Sequence, residues 1–560
     1  MTQIPGKQTI IKQGNNKKER NKIMKKAFAI LMSLVLMLSL AVPAMAADVI
    51  VDDKLSGHTF TVYQIFSGRE ENGVLSDIDW STGIDHAAFL AALKSDATLG
   101  ADFTACVTAS DVAKVLEGYA ADAAKANLVA EIAYAKKASG VVLSTTENNL
   151  ADGYYLVVDT TTSVGNGDAY NAALLQLVGE VNITLKTDAP QMEKKVKEDD
   201  KYNQDGDYGL GYNDVADYDM NEPVSFHLIA KIPDMTYYDT YKYIFHDDMS
   251  DGLDLNAGSF NVYLSADQKV DTADTLIAQN GNYTIVYGST DDDDFTLSFA
   301  DLKTVDGVEK GKYIIVEYTA ALTASAVVGL DGNPNTAYLE YSNKPDHSGS
   351  GDNNNTGRTP DDTVIVFTYK LDVTKVDGDY EEGEEPDKLA GAEFVLMNEA
   401  KTKVAVVDGN GNVTGWENVP GDGKTWPAGS VLTSGSDGLF KVVGLDDGTY
   451  YLKETKAPTG YNILTADIEL VITATTANGQ TWENKDAKAA LTALTIKVGN
   501  DTEDGTLDTG IVGTTVENNK GTTLPETGGM GTTIFYIVGG VMVAAAVVLL
   551  ITKKRMSAEG

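Results

Sequence analysis

Three polar residues fall on the apolar faces of predicted strands in the last third of the chain. Side chains at positions i, i+2 and i+4 of a strand share one face. By this alternation Lys375 shares a face with Leu371 and Val373, and Glu454 and Asn518 also follow apolar residues in phase. Because a buried charge is costly unless it is paired, the alternation favours a buried cluster of lysine, acid and asparagine.

A second set in the same order occurs earlier in the chain. Lys194 lies between Met192 and Val196 on one face, and Asp247 and Asn343 each follow aromatic residues in phase. A single residue of this kind is more often at an edge strand, where it reaches solvent. Two sets in one order instead favour a shared chemistry.

Desolvation determines what such a trio can do. Burial lowers the pKa of a lysine and raises that of a carboxylic acid, so the neutral amine and the neutral acid are favoured. A neutral amine is a nucleophile, and a protonated acid can polarise the asparagine carboxamide and stabilise the developing oxyanion. Attack expels ammonia and leaves a Lys–Asn amide, once per molecule, so the chain is not predicted to be an enzyme. The alternative is a buried ion pair that does not react.

The C-terminus combines a short motif, an uncharged apolar run and a basic tail. They are the pentapeptide Leu524, Pro525, Glu526, Thr527 and Gly528, the run 534–551, and Lys553, Lys554 and Arg555. The run is long enough to span a bilayer as a helix, and alone it would favour an ordinary transmembrane anchor. The three parts in this order resemble the cell-wall sorting signal of Gram-positive surface proteins, which a sortase cleaves between Thr and Gly. The resemblance implies that Thr527 is an acyl donor and that the membrane anchor is transient.

The N-terminus has the pattern of a secretory signal peptide. Lys25 and Lys26 precede an apolar run at 27–42, and a small-residue motif predicts cleavage after Ala46. Residues 1–46 are therefore assigned to the signal peptide, with Met24 as a possible true start.

Composition excludes several classes of function. The chain has 44 basic and 82 acidic residues, a formal net charge of -38, which argues against nucleic acid as a partner. Cys106 is the only cysteine, so an intrachain disulfide is impossible. With five histidines and neither HExxH nor GxSxG, the sequence predicts no metal, no cofactor and no hydrolase activity.

The remaining sequence is predicted to be mainly β, in tandem Ig-like β-sandwich domains that follow an α+β N-terminal domain. The proposed domains are 47–187, 188–369 and 370–520, followed by the sorting signal at 521–560. In the first domain, strands at 59–66 and 154–158 flank Ala-rich helices at 86–95 and 110–138, the second with Ser110 as N-cap.

The residues of both trios also carry a family resemblance. Segments 375–377, 389–394 and 451–461 resemble a CNA-B-type (SpaA-type) pilin domain with its E-box, and 247–253 and 339–343 resemble the fimbrial isopeptide-forming domain. With both terminal signals, the chain resembles a Gram-positive sortase-assembled major (backbone) pilin, a fimbrial subunit that supports adhesion. The resemblance implies the bonds Lys194–Asn343 and Lys375–Asn518, assisted by Asp247 and Glu454. Strand alternation favours Lys194 over the adjacent Lys195, and Asn518 over Asn519.

A backbone pilin also needs an exposed lysine to accept the next subunit. The family's usual motif, with Trp and Tyr-Pro-Lys, is absent. Alternation in 181–188 turns Lys186 away from the apolar face, and it is the predicted acceptor. The implied partners are a sortase, other copies of the chain, accessory pilins, peptidoglycan and an unidentified host receptor. The alternative is a monomeric wall-anchored adhesin that uses the same domains as a stalk.

Overall fold

The protein is analysed as a computed structural model. It describes residues 47–48, 50–51, 57–143, 149–178, 182–183, 188–199, 205–288, 293–345, 355–380, 384–476, 487–522 and 530–556. These residues are mainly β, as predicted. They form two compact units, one of Met1–Thr368 with Thr475–Thr492, the other of Tyr369–Ala474 with Ala493–Gly560. The division of the chain into three domains stays a prediction.

The N-terminal part of the first unit packs helices against a sheet with the strand order β4-β3-β7-β8, in which β5 also pairs with β3. Its strands are β1 Ala47–Asp48, β2 Ile50–Val51, β3 Phe60–Glu71, β4 Val74–Trp80, β5 Val141–Val142, β6 Asn149–Leu150, β7 Gly153–Asp159, β8 Leu174–Val178 and β9 Asn182–Ile183. Its helices are α1 His86–Ser95, α2 Gly100–Phe103, α3 Ala109–Glu117 and α4 Ala123–Ala135. Phe66, Phe89, Leu93 and Leu156 belong to the core between sheet and helices.

The long helix predicted at 110–138 is in fact two helices. Helix α3 starts at a capping box in which Thr108, rather than Ser110, is the N-cap. It ends at Gly118, and the Asp122 side chain accepts a hydrogen bond from the Lys125 backbone to start α4.

The C-terminal part of the first unit contains two seven-stranded sheets. Their strand orders are β13-β10-β15-β22-β18-β19, with β17 on β22, and β14-β25-β23-β16-β21-β20, with β24 on β23. The strands are β10 Met192–Lys197, β11 Asp205–Gly206, β12 Gly209–Leu210, β13 Tyr212–Asn213, β14 Val215–Asp217, β15 Pro223–Lys231, β16 Tyr243–Met249, β17 Leu253–Leu255, β18 Asn261–Ser265, β19 Thr275–Leu276, β20 Thr284–Tyr287, β21 Phe295–Phe299, β22 Tyr313–Leu322, β23 Asn333–Ser342, β24 Thr356–Arg358 and β25 Asp362–Phe367, with a 3-10 turn at Leu302–Thr304. Burial alternates along β22 and β23, so each strand turns one face to the core.

The second unit has a three-stranded sheet, β31-β26-β36, and an eight-stranded sheet, β29-β28-β27-β32-β33-β34-β35 with β30 on β27. The strands are β26 Tyr369–Asp377, β27 Glu393–Asn398, β28 Lys403–Val407, β29 Val413–Asn418, β30 Leu432–Thr433, β31 Leu439–Leu445, β32 Gly448–Lys456, β33 Ile468–Thr476, β34 Leu491–Val498, β35 Asp501–Asp504 and β36 Ile511–Asn518. A 3-10 turn lies at Leu507–Thr509, and the short helix α5, Ala487–Ala490, falls in the segment Thr475–Thr492 that belongs to the first unit. β26 pairs with β36 in parallel, from Lys370 opposite Ile511 to Asp377 opposite Asn518.

The last described element is helix α6, Met530–Met556. Its segment Phe535–Lys554 has a mean hydropathy of 2.5 and is long and apolar enough to cross a membrane.

Candidate crosslinking sites

The first cluster lies between the two seven-stranded sheets of the first unit. Lys194 on β10 and Asp247 on β16 are both completely buried, and Lys194 Nζ donates to Asp247 Oδ2. Lys194 Nζ also lies 2.9 Å from the hydroxyl of Tyr318 on β22, and that hydroxyl donates to Asp247 Oδ2 at 2.8 Å. The lysine and acid singled out by strand alternation therefore meet inside the core, together with a tyrosine that the alternation did not single out.

The asparagine of this cluster is Asn335 on β23. It is fully buried, and its Nδ2 donates to the Tyr318 hydroxyl at 3.0 Å. Asn335 Oδ1 and Asp247 Oδ1 have no hydrogen-bond partner among the described residues. The carboxamide oxygen of Asn335 and one carboxyl oxygen of Asp247 are thus both without a partner in this cluster. If Asp247 is protonated, the Asn335 oxygen is available to accept its proton in a hydrogen bond.

Asn343, the predicted partner of Lys194, lies elsewhere, so that pairing is wrong in this structure. Asp247 pairs with Ala337 on β23, and Asn343 lies six residues further along, roughly 20 Å away at about 3.3 Å per residue. The Asn343 backbone carbonyl accepts from the Tyr170 amide at 2.8 Å, so this residue lies where the N-terminal part of the unit meets β23.

Burial sets the charge state of the first cluster. Removal from water lowers the pKa of Lys194 and raises that of Asp247, and in each case the attraction between the pair opposes this effect. The rings of Phe226, Phe260 and Phe295 pack around Tyr318, with centroids 5.4, 5.5 and 4.9 Å from its ring. This aromatic shell favours the neutral amine and the neutral acid, the reactive pair.

The second cluster lies in the second unit, between its two sheets. Lys375 on β26, Glu454 on β32 and Asn518 on β36 are 0%, 4% and 1% exposed. Asn518 Nδ2 donates to Glu454 Oε2 at 3.0 Å, and Lys375 Nζ donates to the backbone carbonyl of Val516 at 2.8 Å. Since Val516 is two residues from Asn518 on the adjacent parallel strand, the lysine and the asparagine are close neighbours.

Burial also affects the charge state of the lysine in the second cluster. Burial lowers the pKa of Lys375 to about 8, against the opposing attraction of Glu454. Asn518 Oδ1 and Glu454 Oε1 have no hydrogen-bond partner among the described residues, as in the first cluster. The Leu464 amide donates to Glu454 Oε2 at 2.7 Å and fixes the carboxyl group.

Lys195 and Asn519, the sequence neighbours that strand alternation disfavoured, lie outside the two clusters. Lys195 is also buried, but its Nζ lies 2.6 Å from Asp214 Oδ1, outside the first cluster. Asn519 is exposed. The remaining predicted site residues are the signal cleavage position Ala46, the acceptor Lys186 and the sorting pentapeptide 524–528, and all lie outside the described residues.

Family comparison assigns two segments of the chain. Residues 370–486 match the prealbumin-like fold domain of the SpaA family, and residues 516–557 match the LPXTG cell wall anchor motif. The first match covers both Lys375 and Glu454, and the second begins just before Asn518.

The chain is also similar to known surface proteins. The Trypsin-resistant surface T6 protein of Streptococcus pyogenes serotype M6 is 25% identical over 273 residues, which are 47% of this chain and 44% of that protein. The chain thus matches less than half the length of this curated relative. These matches confirm the predicted resemblance to sortase-assembled major pilins and the predicted anchoring to the Gram-positive cell wall.

Solved structures of pilins are similar at lower identity. The T6 backbone pilin of serotype M6 Streptococcus pyogenes is 18% identical, with a TM-score of 0.49, covering 86% of this chain and 100% of that one. The major pilin SpaD of Corynebacterium diphtheriae is also 18% identical, with a TM-score of 0.43, covering 83% and 93%.

Proposed function

We propose that this pilin is the major subunit of a fimbrial shaft, joined covalently to its neighbours and stabilised inside by two Lys–Asn amides. The observation that carries the proposal is the recurrence of a buried lysine, acid and asparagine in both units of a chain with an LPXTG anchor. With one cysteine, the chain cannot form an intrachain disulfide.

The internal amides are Lys375–Asn518 and Lys194–Asn335. In each, the neutral lysine nitrogen attacks the carboxamide carbon, the carbon–Nδ2 bond breaks, and ammonia leaves. In the first cluster burial raises the pKa of Asp247, so as a neutral acid it donates to the carboxamide oxygen while negative charge develops there. Glu454 is the corresponding acid of the second cluster. The unsatisfied oxygens of acid and amide in both clusters support this role. The protein is its own substrate and turns over once, so it is structural rather than an enzyme.

The bonds between subunits are made by a sortase. It cleaves after Thr527, holds the threonine carbonyl as an acyl group, and transfers it to the Lys186 amine of the next copy. The terminal subunit is instead transferred to peptidoglycan. Accessory pilins and a host receptor complete the set of proposed partners, and no nucleic acid is among them.

A cell-wall extract tests the shaft. Walls from cells that carry the native chain, Lys186→Ala or the control Lys94→Ala are boiled in detergent and immunoblotted. We expect a high-mass ladder from the native chain and from Lys94→Ala, which alters an exposed lysine of α1, and monomer from Lys186→Ala.

Other outcomes of the same blot are informative. A ladder that survives in Lys186→Ala would contradict this acceptor but keep the shaft. Monomer from the native chain, with its sortase present, would favour the monomeric wall-anchored adhesin.

A further inference from the structure

Tyr318 occupies the centre of the first cluster. It is completely buried, and its hydroxyl contacts the nucleophile, the acid and the leaving nitrogen at once. Lys194 Nζ lies 2.9 Å away, Asp247 Oδ2 2.8 Å and Asn335 Nδ2 3.0 Å. In this arrangement the phenol oxygen accepts from both nitrogens and donates to the carboxylate.

In the second cluster no hydroxyl of the described residues occupies this position. There Glu454 Oε2 accepts directly from Asn518 Nδ2, the nitrogen that leaves, at 3.0 Å. In the first cluster the acid is the shorter Asp247, and the Tyr318 hydroxyl stands between it and Asn335. An aspartate with a tyrosine thus fills the place that one glutamate fills in the other unit.

We propose that the Tyr318 hydroxyl is a catalytic proton relay in the formation of the Lys194–Asn335 amide. The inference rests on the crosslink proposed above. Attack of Lys194 Nζ forms a bond to the Asn335 side-chain carbon and puts a positive charge on that nitrogen. The phenol oxygen takes one proton from Nζ and gives its own proton to Asn335 Nδ2. The carbon–Nδ2 bond then breaks, the carbonyl re-forms and ammonia departs, so one proton enters the phenol and one leaves.

The surroundings of the phenol suit this role. Burial and the neighbouring Asp247 raise the pKa of Tyr318 well above its ordinary value, so the hydroxyl keeps its proton between transfers. The aromatic shell around the ring fixes its position, and a phenylalanine fits the same packing. Removing the hydroxyl therefore removes the relay with little change in volume.

The test follows the two amides in the same molecules. The full chain is synthesised in a pulse, synthesis is arrested, and samples are digested with trypsin so that each branched peptide is quantified by mass over time. Tyr318→Phe is compared with the native chain and with Tyr243→Phe, a fully buried tyrosine of β16 whose hydroxyl donates to the Lys231 carbonyl. We expect Tyr318→Phe to slow the Lys194–Asn335 amide by about 10²-fold or more, as for loss of a general acid–base group. The Lys375–Asn518 amide is expected to form at the native rate in every chain, which also reports that the variant folds.

A second variant separates the relay from packing. Adding Asp247→Glu to Tyr318→Phe lengthens the acid towards Asn335, as in the second cluster, and we expect it to restore most of the rate. Formation of the Lys194–Asn335 amide at the native rate in Tyr318→Phe would overturn the relay. So would a double variant as slow as Tyr318→Phe alone, which would leave Tyr318 as a packing residue. If the native chain never forms this amide, the proposed crosslink itself fails, and the relay with it.

Discussion

The side-chain amide nitrogen of Asn335 lies 3.0 Å from the hydroxyl of Tyr318 in the core of the first unit. Because the same hydroxyl contacts Lys194 and Asp247, one contact network holds all the groups that a Lys–Asn amide requires. The second unit holds the equivalent lysine and asparagine with a glutamate as the acid, and no tyrosine is among the contacts that its described residues make with these groups. The two clusters therefore provide matched controls for each other.

The choice of asparagine in the first unit can be tested directly. Asn335→Ala is expected to abolish the amide to Lys194, because the Asn335 carboxamide contacts the same Tyr318 hydroxyl as Lys194. Asn343→Ala is the control and is expected to leave that amide intact. Intact mass, corrected for each substitution, then shows one ammonia fewer lost in Asn335→Ala only. The reverse pattern would restore Asn343 as the partner.

Asn518→Ala is expected to destabilise the second unit. An amide between Lys375 and Asn518 closes a loop of more than about 100 residues, and by analogy with a disulfide it contributes about 4–5 kcal/mol, a model-dependent figure. Urea unfolding should show a loss of this order and faster cleavage by trypsin. The control Asn519→Ala changes an exposed neighbour and should unfold like the native chain. Equal stability of both variants would contradict a covalent link at Asn518.

Amide formation in the second unit should depend on pH through its lysine. Burial depresses the pKa of Lys375 from 10.5 to about 8, so the reactive neutral amine becomes populated as pH rises through about 8. We expect the rate to rise about tenfold per pH unit below this value and to level off above it. Unreacted chain, purified unfolded and refolded at a series of pH values, gives the rate from quenched samples by mass. A rate that is flat below pH 8 would show that protonation of Lys375 does not limit the reaction.

His58 should make the N-terminal part of the first unit more stable at low pH. Its Nδ1 lies 2.7 Å from Asp159 and its Nε2 3.0 Å from Asp168, and the hydrogen bond to Asp159 is the main cause of its raised pKa. A raised folded-state pKa gives stability that is complete below the unfolded value of 6.5 and is lost as pH rises through the folded value.

Hydrogen exchange measures this effect at residues 167–171, the loop whose Asp168 carbonyl accepts from the Tyr341 hydroxyl at 2.9 Å. Protection factors should fall severalfold between about pH 6 and pH 8. His58→Gln should remove most of this dependence. An unchanged dependence in His58→Gln would assign the effect to another group.

Strand alternation was sufficient to find five polar residues of the two clusters. Lys194, Asp247, Lys375, Glu454 and Asn518 are all buried where the two-residue period placed them. The reason is that the period fixes which face a side chain occupies once the strand is known. The alternation did not exclude Lys195, which is buried beside Asp214.

Strand alternation could not show how far along the neighbouring strand each partner lies. Asn335 and Asn343 are both odd-numbered residues of one alternating run, and only the pairing of Asp247 with Ala337 selects Asn335. Tyr318 gave no signal, because a tyrosine on a buried face is ordinary. The break between α3 and α4 had a visible signal in Gly118 and the N-cap Asp122, although the Ala-rich flanks favoured a continuous helix.

The parallel pairing of β26 with β36 has a mechanical consequence. The chain enters the second unit on β26 and leaves its strands at Asn518, and the two strands share eight paired positions in the same direction. A force that pulls the start of β26 away from the end of β36 loads these strands in shear. The hydrogen bonds between the two strands are then strained together, and do not break one after another. An amide between Lys375 and Asn518 would join these two strands covalently, so that they could not slide past each other. Tension along a fibre of such subunits would then be carried by β26 and β36, and the other strands of the second unit would bear little of the force.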